Sequence, residues 1–183
     1  MRLKLLYKVI IQKGRCIFAT SRPNHQHMKE VTIQSVADTE NGSLFTICIK
    51  GEQYSEFEKF IRNHSLTYSH DLNIILTAIK RMLDTSGFLE RYFRPEGKYR
   101  DHVCALPIQS GKLRLYCLRM NDSILIAGNG GVKDGKTYQE CDKLNGYVVD
   151  LQKLDEAIKV AIRKGDIVIA ERIFEGTDKP LQI

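Results

Sequence analysis

Between Lys112 and Lys136 the chain reads KLRLYCLRMNDSILIAGNGGVKDGK, two stretches of apolar and basic residues about an Asn121-Asp122 turn, then glycines and two lysines. Side chains two apart on a strand point the same way. Leu113, Leu115, Cys117 and Arg119 therefore share one face, and Arg114, Tyr116 and Leu118 the other. If the leucine face packs on helices, Arg114 and Tyr116 look outward together. A planar guanidinium can grip two phosphate oxygens, lysine adds a point charge, and a tyrosine ring can stack on a splayed base. The plainer alternative is an exposed strand whose arginine and tyrosine only cover the sheet.

The surrounding charge favours a polyanionic partner. Residues 91 to 136 hold nine Lys/Arg against four Asp/Glu, while the rest of the chain holds nineteen against eighteen. A localised cationic surface attracts nucleic acid through long-range fields and counterion release. A solvated charged face is the competing reading.

A second motif overlaps the first. Gly130-Gly131-Val132-Lys133-Asp134-Gly135-Lys136-Thr137 satisfies the spacing GxxxxGK[ST] after an apolar strand. In a phosphate loop the amides would cradle a nucleotide, Lys136 would reach its terminal phosphates and Thr137 would bind magnesium. The context argues against it: only 46 residues follow Thr137, and a nucleotide-binding fold needs a parallel sheet built by strand-helix crossovers.

These residues need elements to position them. Runs 3–11, 16–20, 31–36 and 44–49 predict strands, divided by Gly14, Pro23-Asn24 and Asn41-Gly42. Ser55 with Glu58 has the spacing of a capping box and starts a short helix burying Phe57, Phe60 and Ile61. Asp71 is the expected cap of a second helix, in which Leu72, Ile75, Leu76, Ile79, Met82 and Leu83 recur at helical spacing up to Gly87. A loop is expected over 88–101 and strands over 102–108, 112–120 and 123–127, followed by a glycine-rich loop. Asp150 is the expected cap of a third helix closed by Gly165, and 167–170 the last strand.

At 183 residues and 43% hydrophobic, the chain can bury a core without staples. Cys16, Cys48, Cys104, Cys117 and Cys141 are odd in number and never spaced as CxxC, which suits buried thiols in a reducing cytoplasm. No apolar run approaches the ~20 residues that span a bilayer, and the start is too polar for an export signal. His102 leads into an apolar strand and reads as structural, and His25 and His27 are too few for a metal site.

Residues 44 to 140, with a strand, two helices, then KLRLYCLR and ILIAGNGGVK, resemble the RelE/HigB superfamily of toxin ribonucleases. The resemblance implies an α+β fold with a small antiparallel sheet on a helical hairpin. It divides the chain into a β-rich extension (1–43), a RelE-like core (44–146) and a helix-strand appendage (147–183). It places the family's strand arginine on Arg114, its basic residue on Lys133 assisted by Lys136, and its tyrosine on Tyr138. Lys98, Tyr99, Arg100, Lys112, Tyr116 and Arg119 are the expected RNA-binding residues. The implied chemistry is metal-independent RNA cleavage with no cofactor. Arg114 and Lys133 would hold the phosphate, and Tyr138 or Lys136 would move protons, their pKa values lowered by neighbouring cations. The implied protein is the cytoplasmic toxin of a toxin-antitoxin pair, cutting mRNA at the ribosome and held inactive by an antitoxin. A non-catalytic module binding nucleic acid or protein is the alternative, and a nucleotide-binding protein the third.

Overall fold

The structure, a computed structural model, describes residues 28–98, 100–107, 111–133, 135 and 137–183. In chain order the elements are β1 (Glu30–Asp38), β2 (Ser43–Ile49), α1 (Glu56–His64), α2 (Ser69–Arg81), β3 (Arg94–Pro95), β4 (Val103–Leu106), β5 (Leu113–Arg119), β6 (Ile124–Val132), α3 (Asp142–Lys164), β7 (Val168–Ala170), β8 (Ile173–Glu175) and β9 (Leu181–Gln182). Among the described residues seven strands form one sheet in the order β3-β4-β5-β6-β2-β1-β9, and β7 and β8 make a separate hairpin.

The chain is α+β, but the sheet is not the small antiparallel one expected. It is mixed, because β2 runs parallel to β6, with Ser43 opposite Ile124 and Thr46 opposite Ala127. Alternation within a strand carries no information about a partner that far away. The run at 31–36 grows into β1, which pairs with β2 along almost its whole length. The strands expected over 3–11 and 16–20 lie outside the described residues.

Both faces of the sheet are covered. On one, Phe57, Phe60, Leu72, Ile75, Leu76 and Ile79 of α1 and α2 meet Leu113, Leu115 and Cys117 of β5. On the other, Leu144, Val148, Leu151, Leu154 and Ile158 of α3 meet Tyr116, Leu118 and Ile126. Each fully buried Leu, Ile, Val or Phe among them contributes about 1.5–3 kcal/mol. The segment expected as an appendage therefore supplies most of one layer, and β9 closes the sheet edge beside β1.

Two caps fall elsewhere than expected. α2 begins at Ser69, and the Asp71 carboxylate instead accepts the backbone N–H of Lys112 (3.1 Å) and Leu113 (3.3 Å), tying α2 to β5. α3 begins at Asp142, eight residues before Asp150, which lies within the helix and pairs with Lys29, the residue before β1. Burial of Leu144 and Val148 offsets the poor helix propensity of Asn145-Gly146. Ser55 does accept from the Glu58 N–H (3.3 Å), and Gly165 ends α3 at φ 76°. Cys48, Cys104 and Cys117 are buried as expected, whereas Cys141 is exposed and Cys16 lies outside the described residues. Among the described residues no helix is long and apolar enough to cross a membrane.

Candidate nucleic-acid interface

The β5-β6 ladder brings several of the expected cations to one end of the sheet. Arg114 stands opposite Gly131, Leu113 opposite Val132, and the Lys133 N–H donates to the Lys112 carbonyl at 2.9 Å. Lys112 is exposed, and Arg114 and Lys133 are half-buried. The Arg114 guanidinium folds over the strand start, its Nη1 donating to the carbonyls of Gly111 and Leu113, each at 2.9 Å. The Asp71 carboxylate at this end is occupied by the two amides named above, which fixes the backbone that carries Lys112 and Arg114.

The glycines expected as a loop are strand. β6 runs on to Val132, with a bulge between Leu115 and Cys117 on β5. A Cβ at Gly130 would lie 2.0 Å from the Arg114 carbonyl oxygen, so the close approach of two backbones is what requires glycine here. This removes the geometry of a phosphate loop: Gly130 and Gly131 sit inside a ladder. Thr137 caps a short 3₁₀ turn over Tyr138–Glu140 through Glu140, and α3 follows only at Asp142.

Tyr116 and Tyr138 are also nearby, but not as expected. Tyr116 is fully buried under α3, and Tyr138 is 9% exposed, its ring edge-on to Tyr116 with centroids 6.2 Å apart. Tyr116 therefore cannot stack on a base. The expectation that it looked outward treated the sheet as one-sided, and α3 covers that side. Among the described residues the buried Tyr116 hydroxyl has no hydrogen-bond partner. Burial pushes its phenol up, the Glu96 carboxylate adds to this, and the neighbouring Arg114 cation opposes it.

The remaining expected residues are dispersed. Arg119 lies at the far end of β5, its Nε donating to the Phe88 carbonyl (2.7 Å) and its Nη2 paired with Asp122. Lys98 and Arg100 are exposed in the loop before β4, where the Lys98 N–H donates to Asp101 (2.7 Å) and the Arg100 carbonyl accepts from Lys159 (3.1 Å). Tyr99 and Lys136 lie outside the described residues.

Two polar clusters escaped the sequence reading. Beyond the end of its pairing with β2, buried Asn129 of β6 donates to Glu56 (2.7 Å), whose other oxygen pairs with Lys59. Burial holds the nearby His64 ring below its usual range, and the Lys143 charge pushes the same way against a bond to the Gly130 backbone. At the start of β4, His102 bonds Asp155 of α3. One signal pointed to the second cluster: Asp155 interrupts the apolar stripe Leu151, Leu154, Ile158 of its helix.

No protein-family model matches the chain, and no curated protein or solved structure resembles it significantly.

Proposed function

We propose that this chain acts on RNA as a toxin of the RelE/HigB kind, cutting mRNA at the ribosome without a metal and restrained by an antitoxin that covers its cationic face. The observation that carries the reading is the convergence of Lys112, Arg114 and Lys133 on one end of the β5-β6 ladder, held by the Asp71 clamp and the Gly130 contact. Three cations on a rigid strand pair suit successive phosphates of a single strand. The succession of strand, helical pair and arginine-bearing β5 supports the family resemblance. Expression of the chain alone should arrest growth, and Arg114→Ala or Lys133→Ala should relieve the arrest. Unimpaired growth with the wild-type chain at full expression would reject the toxin reading.

Burial of Tyr138 favours a second reading, a non-catalytic RNA-binding module. A phenol 9% exposed and packed on another ring is badly placed to exchange a proton with a ribose hydroxyl. RNA binding without cleavage by the wild-type chain would support this second reading.

A further inference from the structure

At the start of β4, one carboxylate holds His102 in two places. The ring Nδ1 lies 2.6 Å from Asp155 Oδ1, and the backbone N–H donates to Oδ2 at 3.3 Å. Asp155 is 1% exposed and also takes the Lys159 ammonium, 2.6 Å from Oδ2. Burial pushes the Asp155 carboxyl up, but the bonds from His102 and Lys159 prevail and hold it below the usual carboxylate range. A carboxylate at that place accepts from the ring Nδ1–H and turns the other ring nitrogen, Nε2, away from Asp155. The His102 side chain is still 37% exposed. A buried carboxylate behind a solvent-accessible imidazole is the arrangement of a general base.

The loop entering this site carries cations and strain. Lys98 and Arg100 are exposed, and Arg100 stands at φ 80°, a left-handed conformation unfavourable to a residue with a side chain. Bonds from α3 and from within the loop hold it in place. Lys159 Nζ donates to the Arg100 carbonyl (3.1 Å), and Gln152 Nε2 (2.9 Å) and the Lys98 N–H (2.7 Å) donate to Asp101 Oδ2. Through Asp155 the imidazole belongs to the α3 side of the sheet, the side on which alternation places Arg114 with Tyr116. His102 bonds Arg119 across the ladder, five positions from Arg114. A span of about 17 Å along β5 therefore separates the two sites.

We propose that His102, oriented by Asp155, is the general base of RNA cleavage, acting on a phosphodiester flanked by Lys98 and Arg100; this rests on the ribonuclease reading. The 2′-hydroxyl proton passes to Nε2 as the O2′–P bond forms and the P–O5′ bond breaks. The departing 5′ oxygen takes a proton from water, and the imidazolium returns its own to solvent. The products are a 2′,3′-cyclic phosphate and a 5′-hydroxyl. RNA gripped at Arg114 and Lys133 is delivered to this second site, and Tyr138 moves no proton.

The test uses the full chain and a 5′-labelled mRNA, alone and in a cell-free translation mixture. His102→Ala should cut about 100-fold more slowly or worse with RNA affinity kept, and added imidazole should restore part of the rate. His102→Gln, which keeps a partner for Asp155, should be equally slow if His102→Ala fails to fold. Wild-type rates in these variants, or a loss that imidazole leaves unchanged in folded His102→Ala, overturn the assignment alone. Absence of cutting by the wild-type chain in both settings overturns it together with the ribonuclease reading.

Discussion

Tyr116→Phe should stabilise the protein, against the usual effect of altering a core residue. Tyr116 is fully buried and its hydroxyl has no partner among the described residues. An unsatisfied buried polar group costs about 1–3 kcal/mol. Phenylalanine keeps the ring and its contact with Tyr138, and the void left by the oxygen is smaller than a methyl group, whose absence costs about 1 kcal/mol. The balance is a gain of about 1 kcal/mol, or about 2–4 °C in Tm for a chain of this size. The phenol is raised above its ordinary value by burial, so the native state keeps its proton at a pH where the unfolded chain has lost it. That contribution is whole below about pH 10 and fades as pH rises further. The variant should therefore lose less stability than the wild type above that pH. Equilibrium urea denaturation at neutral and alkaline pH measures both effects. A loss of 1 kcal/mol or more at neutral pH would mean instead that the hydroxyl is hydrogen-bonded.

Gly130→Ala should destabilise by at least about 1–3 kcal/mol, because its Cβ would meet the Arg114 carbonyl at 2.0 Å. Gly146→Ala, inside α3 where an added Cβ meets nothing within 4 Å among the described residues, should stabilise by about 0.5–1 kcal/mol; urea midpoints that move together would contradict the contrast. Asp71→Ala should cost about 1.5–3 kcal/mol through the loss of two charge-assisted bonds to β5, and a neutral result in the same assay would refute the clamp. His64 is held below its usual range, so the unfolded chain binds the proton first. Its contribution to stability is present above about pH 6.5 and lost as pH falls below it. His64→Gln should flatten that part of the stability profile, and an unchanged acid slope would argue otherwise.

What the sequence made legible is what local pattern controls. The stripe Leu72, Ile75, Leu76, Ile79, Met82, Leu83 is buried as one face, and Leu113, Leu115 and Cys117 pack on the same helices. Alternation placed β4, β5 and the first half of β6, and opposite-strand register then brought Arg114 near Lys133. Long-range partners were not legible. The parallel pairing of β2 with β6 and the layer made by α3 depend on contacts across much of the chain, and they turned Tyr116 from an outward residue into a core one. The glycines of β6 mimicked a loop because the backbone they must approach, at Arg114, is distant in sequence. The His102–Asp155 bond spans 53 residues, and its one trace was a carboxylate in an apolar stripe.

The cationic end of the β5-β6 ladder is tested by binding of labelled single-stranded RNA over a range of salt. Arg114→Ala with Lys133→Ala should weaken binding at low salt and lower the slope of log K against log salt by about 1.4, or about 0.7 per phosphate contact removed. Equal affinity and an unchanged slope would mean that RNA binds elsewhere on the protein.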